Sequence, residues 1–134
     1  MILKIEHIGI AVQNMEKANS LFESLLGTPS YKMEKVEAEG VSTSFFKVGE
    51  SKVELLEATN EMSPIAKFIT KKGEGIHHIA FEVDDIEKTM ASLKSRGFEL
   101  LSDVPKKGAD NKLICFLHPK STNGVLVELC QDIK

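Results

Sequence analysis

Two histidines and two glutamates occupy matching places in the two halves of this sequence. His7 and His78 open the segments His-Ile-Gly-Ile-Ala-Val and His-Ile-Ala-Phe-Glu-Val, which align without a gap at an offset of 71 residues. Glu54 and Glu128 each stand in a later Val-Glu-Leu segment, and these match at an offset of 74 residues. Two imidazoles and two carboxylates form a donor set suited to Co²⁺, Ni²⁺, Zn²⁺, Mn²⁺ or Fe²⁺. The sequence therefore predicts one divalent cation held by these four side chains.

The strands that would carry the histidines leave open space in front of the imidazoles. Successive residues of a strand point to opposite faces, so His7 shares its face with Gly9 and Ala11, and His78 shares its face with Ala80. The two glutamates are flanked by apolar residues, which predicts that each is held in a sheet. A buried carboxylate is usually paired or bound to a metal because isolated buried charge is costly.

A single polar residue on a strand more often faces solvent than binds a metal. The metal-site prediction therefore depends on the four residues occupying matching places in the repeat. His77 adjoins His78 and is therefore expected on the opposite face, outside the site. Cys115 and Cys130 lie in apolar runs without CxxC spacing, which predicts buried free thiols.

Each half of the chain is predicted to fold as a strand, a helix and three further strands. Period-two alternation over residues 3–13 and 76–84 indicates the first strands. Asn14 and Asp85 are expected to cap the helices that follow, and Gly27 and Gly97 to end them. The remaining strands are expected at about 31–37, 41–48 and 51–58, and at about 98–102, 112–117 and 125–130. The predicted class is α+β, with two pseudo-symmetric βαβββ modules.

The length of 134 residues fits one domain, 1–134. Module 1 is expected over about 1–60 and module 2 over about 75–134. Ser63 followed by Pro64 predicts a linker helix over about 63–73. The stretch 103–112 is rich in Gly, Pro, Asp, Asn and Lys, which predicts a long mobile loop.

Composition argues against several classes of partner. The net charge of −3 and a pI near 5.8, with scattered lysines, provide no basic surface for nucleic acid. Apolar runs are far shorter than the roughly 20 residues that span a bilayer, and the first residues do not resemble a signal peptide. We therefore expect a cytoplasmic protein without a membrane or nucleic-acid partner.

The sequence resembles methylmalonyl-CoA epimerases of the vicinal oxygen chelate superfamily along nearly the whole chain. The resemblance implies that the paired modules form a cup-shaped sheet around the metal, with His7, Glu54, His78 and Glu128 at the ligand positions. A His/Glu/His/Glu set is also similar to that of bacterial glyoxalase I, so the ligands alone do not distinguish the two enzymes. The stretches typical of the epimerases are residues 7–12, 63–68, 73–86, 118–121 and 124–129.

This resemblance implies metal-dependent epimerisation of methylmalonyl-CoA by a homodimer. Glu128 matches a position proposed as one catalytic base of the family. Some members carry another glutamate where this chain has Thr43, and threonine is not a competent base. The second base is therefore open: Glu54 is preferred, and a metal-bound water is the other route.

Five further residues are candidates for binding the acyl-CoA substrate. His118 precedes the Pro119 turn, and the lysines could contact the phosphates of coenzyme A; these are Lys106, Lys107, Lys112 and Lys120. Two other functions stay open at this point. One is a lactoylglutathione lyase acting on a glutathione hemithioacetal, and the other is a non-catalytic small-molecule binding protein of the same fold.

Overall fold

The computed structural model describes residues 1–134, which divide into two compact units. One unit comprises residues 7–77, and the other comprises residues 1–6 together with 78–134. The division falls inside the first strand, so the first six residues belong with the second half of the chain. The boundaries expected for modules 1 and 2 remain predictions.

The unit of residues 7–77 contains four strands of a sheet in the order β2-β3-β4-β1. β1 runs parallel to β4, and the other neighbours are antiparallel. Its elements are the end of β1 (Ile2–Ala11), α1 (Met15–Leu26), β2 (Lys32–Val36), a 3-10 turn (Glu37–Glu39), β3 (Val41–Val48), β4 (Ser51–Ala58) and α2 (Pro64–Lys72).

The two helices of this unit cover opposite faces of its sheet. α1 packs on the face that carries Val12, Phe46 and Leu55. α2 packs through Ile65 on Ala11, Val41 and Leu56. Ala11 and Leu56 alternate with that first set along their strands, so α2 lies on the face that also carries His7 and Glu54.

The other unit contains four strands in the order β5-β8-β7-β6, with β5 parallel to β8. α3 packs on one face, where its Met90 meets Val83, Leu117 and Leu129 in one apolar core. The elements are β5 (Gly75–Val83), α3 (Ile86–Ser95), β6 (Lys106–Lys107), β7 (Lys112–Leu117) and β8 (Val127–Asp132), with short 3-10 turns at Ala109–Asn111 and Pro119–Ser121.

The sequence repeat extends to individual hydrogen bonds at the two helix starts. Asn14 accepts from the backbone N–H of Lys17, and Asp85 accepts in the same way from Lys88. These side chains satisfy amide groups that have no partner inside the helix. Both predicted caps are confirmed.

One expectation for the second half is wrong. Residues 98–102 form no strand and contribute only a single bridge between Leu100 and Leu117. The stretch 103–112, expected as a mobile loop, contains the two-residue strand β6 and a 3-10 turn and ends at the start of β7. β6 pairs with β7 at Ile114, so the edge of this sheet lies later in the chain than expected.

None of the three helices has the length and apolar character needed to cross a membrane. The cytoplasmic location expected from the sequence stays a prediction.

Candidate metal centre

The first histidine–glutamate pair lies on neighbouring parallel strands of the 7–77 unit. Glu54 on β4 is in register with Gly9 on β1, two residues after His7 and on the same face. His7 Nδ1 lies 3.1 Å from Glu54 Oε2, and both side chains are more than nine-tenths buried. Gly9 adds no side chain to this face, so the carboxylate can reach the imidazole.

The second pair is built in the same way in the other unit. Glu128 on β8 is in register with Ala80 on β5, two residues after His78. His78 Nε2 lies 3.0 Å from Glu128 Oε1, and both side chains are again more than nine-tenths buried. The His78 ring also meets Phe116 edge to face, with centroids 5.8 Å apart.

The donor chemistry of each pair fits a divalent cation. An imidazole nitrogen and a carboxylate oxygen lie within hydrogen-bond distance of each other in a buried setting. Borderline divalent ions accept both ligand types. A charged carboxylate this deeply buried also needs a compensating partner, which an imidazole or a cation provides. The structure thus brings His7 to Glu54 and His78 to Glu128, and the binding of one ion by all four side chains stays a prediction.

An apolar cluster lies beside Glu128 on the same face of its sheet. It consists of Ala80, Ile114 and Cys130, with Phe116 packed against them. Phe116 is directly across from Glu128, and Ile114 is directly across from Cys130. We call these four residues the apolar site cluster. Sequence reasoning missed it, although alternation from Glu128 to Cys130 along β8 was the signal that could have found it.

Gly108 supports this cluster by its lack of a side chain. A Cβ at this position would lie 2.7 Å from Ile114 Cδ1 and 3.0 Å from Ile114 Cγ2. Isoleucine is β-branched and stiff, so it could not easily move away. The backbone of Gly108 therefore fixes one side of Ile114.

Both cysteines are buried free thiols, as the sequence predicts. Burial raises the pKa of the Cys115 thiol. Burial also raises the pKa of the Cys130 thiol, and the negative charges of Glu128 and Glu6 raise it further. Neutral thiols are poor nucleophiles and poor metal ligands, so Cys130 contributes apolar volume here.

Thr43 lies on the same face of β3 as Phe45, which is in register with Glu54. Its side chain is 1% exposed, and its hydroxyl has no hydrogen-bond partner in the structure. The corresponding residue of the second half is Ile114. Thr43 thus occupies a largely apolar position, and no carboxylate stands in its place.

His118 and Lys120 belong to one turn. His118 Nδ1 accepts from the backbone N–H of Lys120, which makes this histidine the cap of the Pro119–Ser121 turn. The Lys120 ammonium lies 2.8 Å from Glu99 and holds the pKa of that carboxyl below its usual value. Lys120 also borders a cleft of about 850 Å³ on the α3 side of the sheet, whereas Glu128 lies on the other side.

The remaining three lysines differ in exposure. Lys106 and Lys107 form the exposed edge strand β6. Lys112 is buried, and its ammonium pairs with Asp132 and lies 4.0 Å from Glu6. The expectation that Lys112 contacts the phosphates of coenzyme A is therefore corrected, because its buried ammonium belongs to an internal network with Asp132 and Glu6.

His77 is half-buried in the 7–77 unit, with its ring 5.0 Å from Phe68 in an edge contact. It lies outside both pairs, as alternation along β5 predicts.

Comparison with known protein families gives the class of this fold and site. The family model described as Glyoxalase/Bleomycin resistance protein/Dioxygenase superfamily matches residues 6–116. The chain therefore belongs to this superfamily, and the α+β fold expected from its sequence is confirmed.

Several relatives of this chain are named as methylmalonyl-CoA epimerases. The human mitochondrial methylmalonyl-CoA epimerase is 41% identical over 129 residues, which are 96% of this chain and 73% of the relative. The ethylmalonyl-CoA/methylmalonyl-CoA epimerase of Cereibacter sphaeroides is 41% identical over 133 residues, which are 98% of this chain and 99% of the relative.

Solved structures agree with these relatives. A variant of the Streptomyces coelicolor methylmalonyl-CoA epimerase in complex with 2-nitronate-propionyl-CoA superposes with a TM-score of 0.94 at 35% identity. The match covers 98% of this chain and 96% of that one. The Mycobacterium tuberculosis methylmalonyl-CoA epimerase gives a TM-score of 0.95 at 30% identity, with 99% and 90% covered. The resemblance found in the sequence is thus confirmed.

Proposed function

We propose that this protein is a methylmalonyl-CoA epimerase, which interconverts the two epimers at the carbon between the thioester and the carboxylate. The observation that carries the proposal is the pair of buried His–Glu contacts at repeat-matched positions. Its support from relatives is the full-length similarity to enzymes of that name. Epimerisation needs a base near each face of one carbon, and two matched carboxylates are suited to that task.

Glu128 is the first base in this proposal. Its carboxylate stands beside His78 and the apolar site cluster, where little water competes for it. It removes the proton from one face of the reacting carbon, which leaves a planar enolate. A proton returned to the opposite face then gives the other epimer.

Glu54 is the second base that we propose. It has the same relation to His7 that Glu128 has to His78. Thr43 cannot take this role, because an alcohol is far too weak a base and its hydroxyl stands in a buried apolar position. Two glutamates on repeat-matched strands would thus serve the two faces of the substrate.

We further propose that His7, Glu54, His78 and Glu128 together hold one divalent cation, of which Co²⁺, Ni²⁺, Zn²⁺ and Mn²⁺ are the candidates. Support comes from the donor chemistry of the two pairs and from the membership in the superfamily. When bound, such an ion offsets the negative charge that develops on the substrate oxygens. The imidazoles would orient the carboxylates that share the ion with them.

Substrate binding involves the second half of the chain in this proposal. Lys106, Lys107 and Lys120 are exposed and could meet the phosphates of coenzyme A. His118 shapes the turn that presents Lys120. We also propose that the protein forms a homodimer, as the family resemblance implies.

The test is proton exchange at the reacting carbon in D₂O, followed by NMR with each epimer of methylmalonyl-CoA supplied separately to the Co²⁺-loaded protein. We expect the parent protein to exchange and interconvert both epimers. Glu128→Gln should lose exchange of one epimer and Glu54→Gln exchange of the other, each by about 10²- to 10⁴-fold. Both variants should lose interconversion.

Glu57→Gln is the matched control, since Glu57 is on β4 like Glu54 but on its other face, where it binds the start of α1. It should keep both exchange reactions. A metal-loaded parent protein that exchanges neither epimer would overturn the proposal. Turnover of the glutathione hemithioacetal instead would indicate a lactoylglutathione lyase, and a protein without either activity would indicate a binding function.

A further inference from the structure

The apolar site cluster is not explained by the packing of α3. That helix covers the opposite face of the sheet, where it has its own core around Met90 and Leu93. Ala80, Ile114 and Cys130 are nevertheless at most 6% exposed, and they share their face with Glu128. An apolar surface directly beside a catalytic carboxylate is suited to the apolar part of a substrate.

The cluster is bounded by charged groups along the strands. One boundary is the row of Glu128 and Phe116, and the other is the row of Lys112 and Asp132. The row of Ile114 and Cys130 lies between them, and this row ends on β5 at the carboxylate of Glu82, which is in register with Cys130. Apolar contact is therefore available to a short alkyl group and not to a long acyl chain.

The reacting carbon of a methylmalonyl thioester has four substituents of different chemistry. The thioester and the carboxylate are polar, the proton goes to a base, and the methyl group alone seeks an apolar surface. This methyl group stays in the plane of the enolate while protons leave and return on either side. An apolar surface beside the base could therefore hold the methyl group through the whole reaction.

We infer that the apolar site cluster of Ala80, Ile114, Phe116 and Cys130 receives the alkyl substituent of the reacting carbon, and that Ile114 sets the size it accepts. The inference rests on the proposed epimerase function and names a specificity-determining residue for it. Gly108 holds Ile114 in place from the loop side, because its backbone approaches the isoleucine more closely than any residue with a Cβ could.

The test compares two thioesters that differ by one methylene, ethylmalonyl-CoA and methylmalonyl-CoA. For each protein, kcat/KM for deuterium exchange is measured with both, and the ethyl-to-methyl ratio is calculated. Ile114→Val removes one methylene from the cluster and should raise the ratio about tenfold, since one methylene in a fitted pocket is worth at least that factor. Gly108→Ala should push Ile114 inward and lower the ratio.

Leu113→Val is the matched control. Leu113 is the neighbour of Ile114 on β7, and it packs on the α3 side of the sheet. The substitution also removes one methylene, so it should reduce stability by a similar amount while it leaves the ratio within twofold of the parent. Binding of the two thioesters, measured by calorimetry, should follow the same order as the kinetic ratio.

The outcomes separate this inference from the proposed function. A parent protein that exchanges neither thioester would overturn the epimerase proposal and this inference with it. A parent that exchanges methylmalonyl-CoA, with Ile114→Val no different in ratio from Leu113→Val, would overturn the inference alone. A raised ratio in Ile114→Val and a lowered one in Gly108→Ala would support it.

Discussion

His7 and His78 present different ring nitrogens to their glutamates, although their strands are equivalent. His7 uses Nδ1 and His78 uses Nε2. The repeat thus fixes which residue types meet, while the orientation of each ring depends on its own neighbours. Phe116, which packs against His78, is one such neighbour.

The cysteines give a prediction at the scale of single residues. Because burial raises the pKa of Cys115 and Cys130, both should stay protonated and should resist iodoacetamide at pH 8 in the folded protein. Mass spectrometry should show no alkylation of the native chain and two adducts after unfolding in guanidinium chloride. Native labelling of either cysteine at the unfolded rate would contradict the burial.

The same shifts determine a pH dependence. A thiol whose pKa is higher in the folded state loses its proton first in the unfolded chain. The contribution of these protonated thiols to the free energy of unfolding is therefore complete below the ordinary thiol pKa of about 8.5, and it decreases as pH rises above that value. The free energy of unfolding should fall between pH 8 and 10, and this fall should be smaller in Cys130→Ala.

At the scale of elements, capping residues and alternation predicted most of the structure. The linker helix is observed at Pro64–Lys72, with Ser63 accepting from Ile65 N–H, as the Ser-Pro signal indicates. The segment 98–102 was wrongly predicted as a strand because two of its apolar residues are partly buried without belonging to a strand. Phe98 and Leu100 pack against the α3 core from an irregular segment, and burial alone does not distinguish that from a strand.

One contact at each helix start was not predicted. The carboxylate of Glu57 accepts from Met15 N–H at 2.9 Å, and the side-chain carbonyl of Gln131 accepts from Ile86 N–H at 2.7 Å. Both acceptors stand three residues after a proposed metal ligand, on β4 and β8. The two residues in each contact are 42 and 45 positions apart in the sequence, so no local pattern signals these contacts.

These contacts lead to a prediction about stability. Glu57→Ala and Gln131→Ala each leave a partly buried amide without its partner, which should cost about 1 to 2 kcal/mol in the free energy of unfolding. Urea unfolding followed by circular dichroism measures the change. Glu61→Ala, at an exposed turn, should stay within about 0.5 kcal/mol of the parent. Losses no larger than that of Glu61→Ala would show that other acceptors replace the two side chains.

At the scale of the whole molecule, the four proposed ligands could be predicted because each half repeats the same strand order. His7 and His78 lie on matched strands, and Glu54 and Glu128 lie on the strands parallel to them. The apolar site cluster could not be predicted as easily, since Ile114 and Cys130 become neighbours only through the pairing of β7 with β8. The internal role of Lys112 likewise depends on Glu6 and Asp132, at opposite ends of the chain.

The last prediction concerns the number of metal ions per chain. If both His–Glu pairs contribute to one ion, calorimetric titration with Co²⁺ should give one equivalent per chain, and His7→Ala and His78→Ala should each abolish it. Free Co²⁺ at about 100 times its dissociation constant should raise the free energy of unfolding of the parent by about 2.7 kcal/mol. His118→Ala should keep both effects, because that histidine caps a turn and belongs to neither pair. Two equivalents in the parent, with one retained in each of the first two variants, would instead mean that the pairs bind separate ions, and the single-cation proposal would then be wrong.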